Sequence, residues 1–423
     1  MTFLLSFLAA AQAATVQPQS DPILESRKHY RAAVEAYEAG DRPAYLEHAR
    51  QAQALRPEHG GVTWALASAS ALAGDTAGAF RALRHFAALG YWADLAADSD
   101  FVSLRGTGEY AALARRLAAN QAPVTASRVA FELPDRELLT EGIAYDSAAG
   151  EFLVGSVRKG RIFRVSRDGR VSPFTLVEGG HWAPLGLRVD RRGALWVAAM
   201  ALPQTAGYQP ADSNRSAILR YDLRSGRLRQ RYDAGRDEPH AIGDLILTRD
   251  GDVYATDSRA PVVYRIAAGS DSLEPFIRSP LLLSGQGLAL TPDERTLYVA
   301  DYSRGLLRVD LATRGVTLMK AADSVLALGV DGLYYHRGHL IGIQNGVEPH
   351  RVARFSLAPS GDRVLAAQVL ERAHPRYQEP TLGVLVNGDL YYIANSQWER
   401  FGADGRIPEP AVLERPVVLR LPL

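Results

Sequence analysis

Down the last three-quarters of the chain one pattern of polar and apolar positions keeps returning. A polar residue and a Gly lead into an aliphatic pair, a tight turn follows, and an alternating strand runs out to a small or acidic residue. The copies begin Glu141-Gly142-Ile143 with Phe152-Leu153-Val154-Gly155-Ser156, then Leu185-Gly186-Leu187 with Leu195-Trp196-Val197-Ala198. Gly243-Asp244-Leu245 with Val253-Tyr254-Ala255-Thr256-Asp257 comes third, and Gln286-Gly287-Leu288 with Leu297-Tyr298-Val299-Ala300-Asp301 fourth. Two looser copies follow, Asp331-Gly332-Leu333 with Leu340-Ile341-Gly342-Ile343 and Leu382-Gly383-Val384 with Leu390-Tyr391-Tyr392-Ile393-Ala394-Asn395. Apolar/polar alternation between turn signals reads as strand, and Asp168-Gly169, Ser225-Gly226, Asp250-Gly251 and Asn387-Gly388 supply hairpin turns. Six β-rich copies at roughly 43 to 58 residues predict an all-β six-bladed propeller over 127–423, one sheet per copy. The last copy leaves only Pro416–Pro422 as a third strand, while Ser127–Leu133 alternates just before the first blade. Pairing these two segments closes the ring and removes two exposed edges.

Residues 22–120 follow another period. They are rich in Ala, Leu, Arg and Glu, which favours helix. Gly40-Asp41 and Gly74-Asp75 recur 34 residues apart, the period of a tetratricopeptide helix pair. Tyr30, Ala33, Val34 and Tyr37 form one expected apolar face, Tyr45, Ala49, Ala52 and Leu55 its partner. Trp64, Leu66, Ala67 and Ser70 then face Ala79, Leu83, Phe86 and Leu89, and a helix over 108–120 caps the stack. Such a unit is either a groove for a peptide or partner protein or a packing module for the propeller. Residues 121–126, with Pro123, form the linker.

Charge and composition narrow the class. The formal net charge is +1 with no basic run, so neither nucleic acid nor an anionic membrane surface is an expected partner. The absence of cysteine excludes disulfides, thiolate metal sites and a Cys nucleophile. Residues 3–11 are apolar and end in Ala11-Gln12-Ala13, the small-x-small pattern of a signal-peptidase site, although no Lys or Arg precedes them. A signal peptide over 1–14 and a periplasmic or secreted, soluble product are expected, with no membrane span.

In a propeller the start of each innermost strand and the end of the next share one mouth of the central channel. Strand starts bring Glu141, His181, His240, Asp244, Gln286, Asp331 and Thr381 there; strand ends bring Ser156, Asp257, Asp301, Asn345 and Asn395. Carboxylates and amides without thiols suit a hard cation such as calcium. Ser156 and Ser258 lack the Gly-x-Ser-x-Gly elbow of a serine hydrolase. The loops after the second strands, including exposed Trp398, and the insertion over 203–216 are candidates for substrate contact and for a lid.

The Glu-Gly-Ile, Gln-Gly-Leu and Asp-Gly-Leu starts, with Leu-Tyr-Val-Ala-Asp after the turn, resemble the senescence-marker-protein/gluconolactonase propellers over about 127–423. The resemblance implies one divalent cation held by a Glu, two Asn and an Asp, and hydrolysis of lactones with the Asp as base. Glu141 matches the Glu and Asp331 the Asp, so Asp331 would hold or deprotonate a metal-bound water, with His240 as a second candidate for proton transfer. Gln286 stands for the second Asn, with its amide one methylene further out. Gly243 stands for the first Asn and offers no side chain, leaving the neighbouring Asp244 to compensate. The implied metal set is therefore Glu141, Asp244, Gln286 and Asp331, with calcium the expected ion and a small lactone or ester the substrate. The rival expectation is a non-catalytic propeller that binds a ligand or, through the helical repeats, a protein.

Overall fold

The computed structural model describes residues 21–166, 169–408 and 412–423. The apolar N-terminal stretch with its cleavage pattern, and Asp168 of one hairpin turn, lie outside them.

Among the described residues five α-helices come first: α1 (Pro22–Glu38), α2 (Arg42–Leu55), α3 (Gly60–Leu72), α4 (Thr76–Ala88) and α5 (Gly108–Gln121). The 34-residue recurrence is a recurrence of turn chemistry. Gly40 and Gly74 adopt φ of 73° and 79°, which a Cβ would disfavour. Asp41 and Asp75 then cap the next helix, accepting from the Ala44 and Gly78 amides, a contribution of about 1 kcal/mol each. The stripe buried by α1 is Ile23, Ser26, Ala33 and Ala36, packed on Tyr45, Ala49 and Ala52 of α2. Val34, Tyr37 and Leu55, expected inside, are 39%, 47% and 37% exposed. The alanines bring the two backbones so close that the larger side chains fall outside the crossing.

The propeller consists of six sheets. Residues 140–176, 183–233, 242–278 and 285–318 each form one antiparallel four-stranded blade in chain order. Residues 330–372 form the fifth, with the short Lys320–Ala321 strand added in parallel at its outer edge. Blade six joins strands Gly383–Val386, Asp389–Ile393 and Val417–Pro422 to Arg128–Glu132, which pairs antiparallel with the last of them. The ring thus closes as the alternating pattern before blade one implies.

The polar-Gly-aliphatic signature has a mechanical cause. In five blades the pairing of the innermost strand shifts register across it, between Thr140 and Ile143, Pro184 and Leu187, Ile242 and Asp244, Gly285 and Leu288, and Val330 and Leu333. Such a bulge re-aims one side chain, here into the channel. The Gly that follows passes the neighbouring blade. A Cβ on Gly142 would collide with the Leu185 carbonyl, and one on Gly287 with the Asp331 carbonyl. The aliphatic residue then enters the core between blades, as Ile143, Leu187, Leu288 and Leu333 do.

The helical unit sits on blades four and five at the rim of the channel. Phe86, Leu89, Tyr91 and Phe101 share one core with Leu326, Leu328 and Val347. Arg351, 4% exposed, donates to the Gly90 carbonyl at 2.9 Å, and Arg56 donates to the Ser303 carbonyl at 2.6 Å. The Trp92 amide bonds the Glu348 carbonyl, Arg372 bonds the Ala119 and Ala122 carbonyls at the end of α5, and Arg304 pairs with Asp21. One face of the repeat is therefore spent on the propeller.

Candidate functional site at the channel mouth

The bulged strand starts converge. A cavity of about 130 Å3 is walled by Glu141, Asp244, Gln286 and Asp331 from blades one, three, four and five, so all four residues of the expected ligand set meet there. Leu185, Met200, Leu202, Ala241, Gly243, Ser258, Leu382 and Trp398 complete the wall.

Among the described residues the carboxylates lack cationic partners with one exception. Glu141 Oε2 accepts the Trp398 indole N–H at 2.6 Å. Burial pushes its carboxyl well above the usual range, the charge of Asp331 adds to the rise, and the indole bond opposes it. Asp331 Oδ2 accepts from Asn345 Nδ2 at 2.8 Å, and Asn345 Oδ1 accepts from the Tyr302 hydroxyl at 3.0 Å. Burial lifts Asp331 to about 7, with the Asn345 bond opposing and the charge of Asp244 reinforcing. Asp244 is the exception: its Oδ2 accepts from Arg188 at 2.9 Å, while its Oδ1 is buried without a hydrogen-bond partner among the described residues. Asp244 is raised by burial and held back by Arg188.

Gly243 and Gln286, the two positions that differ from the expected ligand set, interlock. A Cβ built on Gly243 would lie 3.5 Å from Gln286 Oε1, so the longer Gln side chain carries its amide oxygen into the side that Gly243 leaves open. Its Nε2 is directed to Ser284 Oγ at 3.5 Å. Asp244, tied to the Arg188 guanidinium, has its charge largely offset. A cation here would meet two carboxylates, Glu141 and Asp331, and the Gln286 amide. Consistently, no group of three His, Cys, Asp or Glu among the described residues is placed to hold a metal ion.

The strand-end residues have another task. Both oxygens of Asp257 are engaged, one by the Ala241, Arg259 and Ala260 amides and the other by His240 Nδ1 at 2.8 Å. Asp301 likewise accepts the Leu283, Ser284, Ser303 and Arg304 amides. Asn395 bonds the Arg415 carbonyl and the Val417 amide. These residues staple loops rather than face a ligand. His240 belongs to this layer and not to the cavity wall: it lies two residues before its strand, folded back on Asp257 and the Tyr264 hydroxyl. His181 bonds the Gly207 carbonyl in an exposed loop, and Thr381 Oγ1 donates to the Glu141 carbonyl at 3.0 Å. Trp398, expected in an exposed loop, is partly buried against Glu141.

Three contributors escaped the sequence reading. Glu379, at φ 65°, sits beside Asp331 and Glu399, and burial with those charges lifts it to about 7. Tyr302 orients Asn345, and Arg188 neutralises Asp244. Of these only Tyr302 carried a signal, following Leu-Tyr-Val-Ala-Asp directly. The loop over 203–216 meets the blade-six insertion: Arg158 Nη1 donates to the Gln204 and Gly405 carbonyls, and Gln204 Nε2 to the Gly402 carbonyl. Leu202 and Trp398, at the roots of these two loops, both wall the cavity.

Fold and site together define a six-bladed propeller with an acid-walled channel mouth and a helical unit docked at its rim. No family model and no curated protein sequence matches the chain. Solved structures that it resembles include a gluconolactonase from Xanthomonas campestris, 20% identical, covering 72% of this chain and 93% of that one with a TM-score of 0.48. The calcium-binding protein regucalcin from Agrobacterium tumefaciens is 17% identical over 70% and 93%, TM-score 0.48. Virginiamycin B lyase from Staphylococcus aureus, solved with quinupristin, is 15% identical over 69% and 83%, also at 0.48. The likeness is to gluconolactonase-like six-bladed propellers and is one of architecture.

Proposed function

We propose that the protein is a divalent-cation-dependent hydrolase of lactones or related small esters, acting at the channel mouth. The observation that carries this is the pair Glu141 and Asp331, two buried acids sharing one cavity with no cation beside them. Such a pair is costly alone and favourable around a metal ion. Glu141, Asp331 and the Gln286 amide oxygen would hold it, with water completing the shell. A bound cation of this kind lowers the pKa of water and polarises a carbonyl. Asp331, lifted to about 7, exchanges a proton near neutrality and is assigned as the base that takes one from the attacking water. Asn345 and Tyr302 fix its orientation, and Trp398 fixes that of Glu141. Beyond the acids, Gln286 and the Ser258 hydroxyl the wall is largely apolar, so an alkyl- or aryl-substituted lactone fits it better than a sugar lactone.

The helical unit is read as a tetratricopeptide-like packing module, and the N-terminal apolar stretch as an export signal, which N-terminal sequencing of the mature protein tests. The non-catalytic reading draws on one observation, the Gly243 position that supplies no ligand. Calorimetric titration with calcium decides, on the wild type and on Glu141→Ala and Asp331→Ala, together with hydrolysis of a lactone panel. One-to-one binding lost in both variants, with hydrolysis lost alongside, supports the hydrolase. No binding and no hydrolysis by the wild type leaves the binding propeller.

A further inference from the structure

A second cavity, about 660 Å3, lies between the helical unit and the propeller. Its size falls within the roughly 300–1,000 Å3 of small-molecule sites, and domain junctions are where such sites concentrate. Trp64, Phe86, Tyr91 and Trp92 supply an aromatic wall. Phe86 stacks on Tyr91 with centroids 5.0 Å apart and meets Trp64 at 5.1 Å. Bare backbone keeps the walls thin: a Cβ on Gly60 would meet the Tyr91 ring at 2.8 Å, and one on Gly346 the Tyr302 ring at 2.6 Å.

One end of the cleft is cationic. Arg56, 5% exposed, and Arg27 both reach Ser303, the first bonding its carbonyl at 2.6 Å and the second its hydroxyl at 3.0 Å. The carboxylate paired with Arg56 is Glu58, at 3.4 Å. The acid on the lining itself, Glu348, has a side chain 61% exposed and lies nearest His350. His59 adds a neutral donor. Its Nδ1 accepts the Val62 amide, and burial with the two arginines pushes the ring down to about 4, so its proton resides on Nε2.

We propose that this cleft binds an amphipathic organic carboxylate, its apolar body against the aromatic wall and its carboxylate at Arg27 and Arg56. The inference rests on the cleft and not on the hydrolytic reading of the channel. The two sites adjoin, because Tyr302 lines the cleft while its hydroxyl holds Asn345 against Asp331. Opening of an apolar lactone at the mouth releases a hydroxycarboxylate, a member of the same chemical class.

The test is calorimetric titration of the full chain with 4-phenylbutyrate, with 4-phenylbutyramide and butyrate as the uncharged and truncated probes. Saturable one-site binding is expected, weakened about tenfold by loss of either the charge or the ring. Arg27→Ala, an exposed position, should weaken 4-phenylbutyrate about tenfold while leaving the amide unchanged, and Trp92→Ala should weaken both. Asp331→Asn should bind like the wild type even where it hydrolyses nothing, so failure at the channel and failure at the cleft are distinguishable. No saturable binding by the wild type, equal binding of acid and amide, or indifference to Arg27→Ala overturns the proposal. Loss of binding in Asp331→Asn does so too, by moving the ligand into the channel.

Discussion

Asp331→Asn, assayed without metal, should make the protein more stable, and the gain should depend on pH. Asp331 is 9% exposed, and its hydrogen-bond partner is an amide rather than a cation. Its carboxyl is lifted from 3.8 to about 7, so the folded state holds the proton more tightly than the unfolded chain. Between those values unfolding releases a proton, and stability falls as pH rises from about 4 to about 7 and is level beyond. At about 1.4 kcal/mol per unit the ceiling is roughly 4 kcal/mol. The Asn345 bond is already contained in that shift, so the gain for the variant above neutrality is the same roughly 4 kcal/mol. At about 1 °C per kcal/mol for a chain of 423 residues the midpoint should rise by ~4 °C. Scanning calorimetry in EDTA should show wild type and variant together near pH 4 and diverging up to about pH 7. Adding calcium should reverse the order, since mass action stabilises only the chain that binds it. A difference independent of pH, or a variant less stable than wild type at about pH 8, would refute the argument that this carboxylate is held uncompensated.

Gly243→Asn should raise calcium affinity about tenfold or more, read by calorimetry, because a Cβ there meets only Gln286 Oε1, at an ordinary 3.5 Å, and the added amide restores the absent ligand. Trp398→Phe removes the donor that opposes the upward shift of Glu141. Its proton should be held to higher pH, so calcium binding near pH 6 weakens and the acid limb of the pH–rate profile moves upward. Arg188→Met strands Asp244 without a partner on either oxygen and should cost about 3–5 kcal/mol in thermal stability, most of it recovered by adding Asp244→Asn.

The architecture was legible because its mechanical needs repeat. A polar residue and a Gly inside an otherwise aliphatic strand make sense only where a bulge turns one side chain inward and the next position must pass a neighbouring backbone. The same logic picked out Glu141, Gln286 and Asp331, and the unpaired alternation at Ser127–Leu133 pointed to the ring closure that Arg128–Glu132 makes. The helical turns were legible for a similar reason, since Gly40-Asp41 and Gly74-Asp75 each combine a left-handed residue with a cap. Reading Val34 and Tyr37 as core failed because hydrophobicity does not say how closely Ala33 and Ala36 will draw α2 inward.

The repeated Asp at the strand ends misled for a different reason. Asp257 and Asp301 reach the mouth face of the ring, yet backbone amides consume their oxygens, and His240 is drawn away with them. Sequence spacing shows which residues arrive at a place, whereas chemistry depends on which of their lone pairs remain free. That accounting rests on partners distant along the chain: Trp398 for Glu141 across 257 residues, Tyr302 for Asn345 across 43, and Arg188 for Asp244 across 56. Of the three acids in the cavity, Asp244 alone has its charge matched by a guanidinium. The excess negative charge therefore resides on Glu141 and Asp331, facing Gln286 across the side that Gly243 leaves open, and there the added ligand of Gly243→Asn should be felt most.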